Sequence, residues 1–330
     1  EPRPGIPRPR ERVIPPRVDL TQDTGTYFLA DVTAGRNMAG VAPGEVKKLL
    51  VLELLPKMVN FSGKMPPMSF VGTYQFERVL GTVDVERDGP AHFKSPALRS
   101  LLFVALDEND MSVKRMQSFT TLMPGEVTSC VGCHEERTQT PKSGNFNAAL
   151  AAQRPPQQIR PIPGIPDVYD FHRDIQPILD RNCLKCHDYD HREGGVILSG
   201  DHGPIYAHSY FTLTYRRQFA DGRDMLGGNM PPRSLGTSNS PLMWKLGLPG
   251  EERHHDVQAT PHEIEMVRYW IESGAPYIGT YAALETGMIG GYPYSKLDTT
   301  DRAWPESIAA ADVIERRCAS CHDDTLPLPR

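Results

Sequence analysis

Three copies of one five-residue signature constrain this chain more than anything else in it: Cys130-Val-Gly-Cys133-His134, Cys183-Leu-Lys-Cys186-His187 and Cys318-Ala-Ser-Cys321-His322. Together they use all 6 cysteines. In C-x-x-C-H the two thiols lie about one helical turn apart and can add across the vinyl groups of a haem, while the adjacent imidazole binds the iron. A bare C-x-x-C could also be a redox disulfide or half of a zinc site. A histidine straight after the second cysteine in all three copies, in a chain with 11 histidines among 330 residues, selects haem. The sequence therefore predicts three covalently attached c-type haems, with His134, His187 and His322 as proximal iron ligands.

Composition narrows the setting. A net charge of -5 gives no basic field for nucleic acid, and the 39% hydrophobic content is that of an ordinary globular chain. The longest apolar stretch, Leu49 to Leu55, is interrupted by Glu53 and is far too short to span a bilayer. Covalent haem is attached after export in bacteria, so a periplasmic or extracellular location is expected, following removal of a signal peptide that this sequence does not contain. The short tail after His322 is expected to be the start of a cytochrome module in a longer protein.

Periodicity divides the chain. Residues 1–20 alternate prolines with arginines and should be an extended arm. Residues 21–137 read as short strands, namely Leu49–Leu52, Thr73–Phe76, a Val83/Val85 strand turning at Asp88-Gly89 into Ala91–Phe93, then Ser100–Leu106 and Met111–Met123. That pattern predicts a β-sandwich carrying the first haem. Residues 138–166, rich in Pro, Gln, Ser and Asn, read as a linker with a helical patch at Ala148–Ala152.

Beyond the linker the pattern turns helical. Asp174 is expected to cap a helix through Arg181 that presents Cys183, and Thr260 with Glu263 to form a capping box. That box opens a closing helix with Pro261 in its first turn, an Ile264/Val267/Trp270/Ile271 face and Gly274 at its end. Ile178-Leu-Asp-Arg-Asn182 matches Val313-Ile-Glu-Arg-Arg317 when aligned on the following motif, which is an internal repeat. The expected fold class is α+β multidomain: a β-sandwich haem domain followed by mainly α-helical cytochrome c-like modules, 167–285 with the second haem and 286–330 with the third.

Several runs resemble a known family. Val71-Gly-Thr-Tyr-Gln-Phe-Glu-Arg-Val-Leu-Gly-Thr-Val83, Pro96-Ala-Leu-Arg-Ser-Leu-Leu-Phe-Val-Ala-Leu-Asp-Glu108 and Ser112-Val-Lys-Arg-Met-Gln-Ser-Phe119, leading into the first motif, are similar to the haem-bearing middle domain of hydrazine synthase alpha-subunit-like proteins. Arg173-Asp-Ile-Gln-Pro-Ile-Leu179 and Ser199-Gly-Asp-His-Gly-Pro204 resemble the cytochrome domain that follows it. The likeness runs from about residue 20 and lacks the β-propeller that family members often carry in front. In the family, a tyrosine four residues past the first motif histidine holds the catalytic haem. Thr138 stands there in this chain, so His134 is expected to keep ordinary iron ligation.

Distal ligands decide function, because electron transfer favours two strong protein ligands and catalysis an open position. For the second haem, His254 is favoured because it stands just before the closing helix, with His255 next and Met230 of Asn229-Met-Pro-Pro232 as the sulfur alternative. The resemblance implies two-histidine ligation at this haem. For the first haem His92 is the candidate, with Met116 behind it; for the third, His202 or His208. The expected function is electron transfer between haems and redox protein partners, more carrier than catalyst. The alternatives are a haem enzyme acting on a small nitrogen or oxygen species at the first haem, and a cytochrome subunit of an oligomeric complex or extracellular filament.

Overall fold

The computed structural model describes residues 17–55, 76–133, 149–201, 206–220, 228–247, 254–255, 257–277, 279 and 305–317. Within them the strands are β1 (Thr24–Leu29), β2 (Lys48–Leu54), β3 (Glu77–Asp84), β4 (Ala91–Pro96), β5 (Leu101–Leu106), β6 (Ser112–Arg115) and β7 (Val127–Cys130). They make two sheets, one ordered β4-β1-β7 and the other β3-β2-β5-β6. Strand β1 is antiparallel to β4 and parallel to β7, while the second sheet is antiparallel throughout.

The apolar run in β2 is explained by burial on both faces. Leu49 and Val51 face the first sheet and pack with Tyr27, Leu29, Phe93 and Val113. Leu50 and Leu52 face the other way, into a core shared with Phe171, Ile175, Tyr210, Trp270 and Tyr277. A strand sandwiched like this reads as continuous apolar sequence rather than alternation. The architecture is α+β in three layers: sheet, sheet, helices.

Two strand expectations are corrected. Val83/Val85 and Ala91–Phe93 do not form a hairpin; β3 pairs with β2 and β4 with β1, so the chain changes sheets at the Asp88-Gly89 turn. The stretch Met111–Met123 contributes only the short β6. Thr73–Gln75 lie outside the described residues.

The described part of the segment expected as a linker straps the edges of both sheets. After a 3-10 turn at Leu150–Gln153, Gln157 exchanges backbone hydrogen bonds with β4, from its N–H to His92 O and from Lys94 N–H to its own carbonyl, both 2.8 Å. Arg160 does the same with Thr82 of β3, at 2.9 Å in each direction, and its guanidinium grips Asp84.

The helices are α1 (Gln176–Asn182), α2 (Leu184–His187), α3 (His208–Tyr215), α4 (Pro241–Leu246), α5 (Pro261–Glu272) and α6 (Pro305–Arg317). A wide π-type turn at Phe171–Ile175 leads into α1, and its cap is Asp170, whose carboxylate accepts from the His172 and Arg173 N–H groups. Asp174 is one turn further on and instead accepts from Asp170 N–H and Arg173, which corrects the expected cap. Helix α5 has the full capping box, Pro261 in its first turn, and a buried Ile264, Val267, Trp270 and Ile271 face. Gly274, at φ +85, follows its end. No described helix is long and apolar enough to cross a membrane.

Candidate haem sites

The second C-x-x-C-H is built by the α1–α2 junction. Leu179 O accepts from Cys183 N–H at 2.8 Å, and Cys183 O accepts from His187 N–H at 3.0 Å, so the motif is a helical turn with Cys183, Cys186 and His187 along it. Burial pushes the Cys183 thiol up to about 11. His187 Nδ1 lies 3.1 Å from Glu193 O, which sets that nitrogen as the N–H donor and leaves Nε2 with its lone pair for a metal.

His254 faces His187. Their ring centres are 6.1 Å apart and their planes differ by 10°. A metal–imidazole bond of about 2.0–2.1 Å, with each ring nitrogen roughly 1.1 Å from its ring centre, puts two imidazoles on opposite sides of one iron about 6.3 Å apart. The separation of the two rings matches that distance, and His187 and His254 are the residues that would hold an iron here. Burial, with the neighbouring His255, Lys245 and His187, holds His254 below the usual histidine range, in the neutral form that can ligate. Its N–H donates to Lys245 O just beyond α4, which fixes the loop that carries it. His255 packs edge-on to the His254 ring at 4.3 Å.

The first motif hangs on β1. The parallel β1–β7 pairing continues into it through Ala30 N–H to Cys130 O at 2.9 Å and Asp31 N–H to Val131 O at 3.1 Å. Cys133 N–H then donates to Ala34 O at 2.6 Å. Gly35 and Gly132 are required here: a Cβ on either would overlap the backbone of Cys133 or Ala34. A cavity of about 310 Å³ opens beside the motif between the sheets. Its walls include Cys130, Cys133, Tyr27, Phe93, Phe103 and Met116, with Lys114, Gln117 and Asn229 among the polar groups. His134 lies outside the described residues.

His92 does not reach this cavity. In register, Leu29 pairs with both Ala91 and Cys130, and Phe28 with both His92 and Ser129, so His92 shares the opposite face of the sheet from Cys130. Its Nδ1 contacts Ala151 O at 3.1 Å, and its ring meets Phe28 edge-on. Met230 is also displaced from its expected place. Its N–H donates to Gln117 and its carbonyl accepts from Lys114, which sets it beside the first motif rather than near His187.

His208 opens α3, edge-on to Tyr189 at 5.8 Å, just past the second motif. His202, Cys318, Cys321 and His322 lie outside the described residues; α6, which leads into the third motif, is helical through Arg317. Among the described residues no group of three or more His, Cys, Asp and Glu side chains converges as a metal site, and a haem iron, whose porphyrin supplies four ligands, needs none. Sequence reasoning missed Glu193, Lys114, Gln117 and Asn229. No pattern announces them, because their roles come from loops that meet only in the fold.

The model of the hydrazine synthase alpha subunit middle domain matches residues 44–135, from just before β2 to the first motif. No curated protein matches. Among solved structures the chain is similar to Kuenenia stuttgartiensis hydrazine synthase, with a TM-score of 0.59 and 20% identity over 78% of this chain. The match spans 44% of that structure's chain. At that identity the likeness is one of fold. Over residues 44–135, ending on the first C-x-x-C-H, the chain is thus similar to the middle domain of the hydrazine synthase alpha subunit.

Proposed function

We propose that this chain is an exported multihaem c-type cytochrome that passes electrons between its haems and redox protein partners. Cys130, Cys133 and His134 hold the first haem, Cys183, Cys186 and His187 the second, and Cys318, Cys321 and His322 the third. Each haem supplies a one-electron iron couple. The observation that carries the reading is the His187–His254 pair, parallel to within 10° at 6.1 Å. Two imidazoles preset at that spacing would hold an iron in both redox states with little rearrangement, which favours electron transfer over catalysis at this site.

The chain's own residues contribute positioning. Glu193 O orients His187, and Lys245 O anchors the His254 loop. The core shared between sheet and helices holds the two haem-bearing units in one body. Assembly into an oligomer or filament would extend the same electron path.

A second reading, a haem enzyme acting on a small nitrogen or oxygen species, is favoured by one observation, the cavity beside Cys130 and Cys133. Two measurements separate the readings. A haemochrome assay with intact mass should give three haems per chain, and electron paramagnetic resonance of the oxidised protein should show low-spin ferric iron only. A substantial high-spin population that binds carbon monoxide or nitrite would sink the pure carrier.

A further inference from the structure

We propose that the side-chain ammonium of Lys245 sets the potential of the second haem, holding it higher than two histidines alone would. The inference rests on haem attachment at Cys183 and Cys186 with His187 and His254 as iron ligands, and names what else in that site acts on the iron.

Lys245 stands in the last turn of α4 and is half-buried. Its carbonyl accepts from His254 N–H at 3.1 Å, so its backbone already belongs to the site. Its charge reaches both sides of it. The ammonium opposes the burial and the Asp180 carboxylate that raise the Cys183 thiol, and it adds to burial and His255 in holding His254 down.

The partner of this ammonium is neutral. Lys245 Nζ donates to Gln218 Oε1 at 2.6 Å, and among the described residues no carboxylate pairs with it. Burial and the Arg216 guanidinium both push Lys245 below the ordinary 10.5, the direction for a cation with no anion beside it. Gln218 is itself fixed. Its Nε2 donates to Arg216 O at 2.9 Å, its N–H donates to Leu213 O at 2.8 Å, and its carbonyl accepts from Leu242 N–H at 2.9 Å. The amide therefore presents its oxygen to the ammonium. A carboxylate in that place would cancel the field, whereas an amide fixes the position of the charge and leaves it whole.

Other charges around the motif are less effective. Asp180, Asp190 and Glu193 are exposed, as are Lys185 and Arg216, and water screens them; Asp188 is paired with His191. Lys245 is screened less because it is half-buried. Ferric haem carries one more positive charge than ferrous haem, so a fixed cation disfavours the ferric form and raises the potential.

The test is Lys245→Gln in the complete three-haem protein, beside Lys245→Arg and Arg216→Gln. In a redox titration followed by haem absorbance, Lys245→Gln should lower one of the three potentials. The expected size is about a tenfold shift in the ferrous-to-ferric ratio, roughly 59 mV for one electron. The haemochrome count and the low-spin resonance should stay as in the wild type. The haem that moves should be the one that turns high-spin in His254→Ala. Lys245→Arg should restore most of the potential, and Arg216→Gln should shift it less than Lys245→Gln does. Three unmoved potentials in Lys245→Gln overturn the proposal, as does an equal fall in Lys245→Arg. A haem turned high-spin by Lys245→Gln also overturns it, by making Lys245 a support for the His254 loop. Fewer than three haems in the wild type, or an unchanged spectrum in His254→Ala, would instead overturn the haem reading beneath it.

Discussion

Asn37 and Asn229 are 192 residues apart in sequence, yet each reaches into the other's loop: Asn37 Nδ2 donates to Asn229 O at 2.7 Å, and Asn229 Nδ2 donates to Arg36 O at 3.2 Å. Both adopt the left-handed conformation at φ 57, which asparagine tolerates better than most residues. The contact brings a loop of the helical unit onto the rim of the sandwich cavity, so the first site is finished by residues from the second unit. The Asn229 amide orientation follows from its partner, because a carbonyl can face only the NH₂ end.

The His187–His254 pair gives the sharpest expectation. His254→Ala should leave three haems attached and convert one to high spin, with carbon monoxide binding appearing in the same fraction. His255→Ala should leave the spin state alone. Equal effects from the two variants would show that the loop, rather than one ring, supplies the ligand.

The two glycines at the first motif should be more sensitive than Gly40, which has open space around it. Gly132→Ala puts a methyl into the Ala34 carbonyl and should cost about 1–3 kcal/mol or more, the range for overpacking. Gly40→Ala meets nothing within 4 Å and carries only the strain of its φ of +89, roughly 1–2 kcal/mol. Denaturant midpoints with the haem content of each purified variant check this. Only Gly132→Ala should also lower attachment at the first site.

Much of this was legible in the residues. The three signatures, the capping box of α5 and its buried face, and the apolar run of β2 are local patterns, and a local pattern survives in sequence. What was not legible is long-range. Strand β7 has only four residues, none of them buried, and the Thr-Gly-Thr-Tyr-Phe-Leu sequence of β1 shows no apolar alternation although its burial alternates. The expected hairpin failed because a tight turn fixes a reversal of direction but not which sheet receives the next strand. His92 looked like a ligand until the β1 register put it on the far face from Cys130. His254 could be favoured from its place before the closing helix, but its angle to His187 exists only in three dimensions.

The buried charges between the two units should titrate visibly. Glu77 of β3 lies 2.5 Å from the Arg115 guanidinium, which also reaches Glu272 of α5, and the two glutamates are 1% and 0% exposed. Arg115→Met should cost about 3–5 kcal/mol by leaving two buried carboxylates with no cation. Burial raises the pKa of Glu77 above the ordinary glutamate value of 4.5. Between those two pKa values the folded protein binds more protons than the unfolded one, so the contribution of Glu77 to stability is full below about pH 4.5 and falls as pH rises toward the folded pKa. Glu77→Gln should flatten that part of the stability profile measured by urea unfolding. A profile as steep as wild type would assign the slope to other groups.

The last expectation concerns cooperativity. The β3-β2-β5-β6 sheet has no free face: Leu50, Leu52, Leu102, Val104 and Leu106 pack on Phe171, Ile175, Trp270 and Tyr277 in one continuous core. The Gln157–Arg160 strap also ties the sandwich edges to the chain just before the helices. Separating the units would expose that whole apolar face at about 25 cal/mol per Å², a cost that neither unit can recover alone. Urea unfolding followed by tryptophan fluorescence, which reports Trp244 and Trp270 in the helical unit and Trp304 outside the described residues, should therefore coincide with unfolding followed by far-ultraviolet circular dichroism at wavelengths dominated by the sheets. Trp270→Ala, which empties the centre of this core, should cost about 3–5 kcal/mol and move both curves together. Two separated transitions, with only the helical one moved by Trp270→Ala, would show that the sandwich stands by itself and that the shared core is a docking surface rather than a common interior.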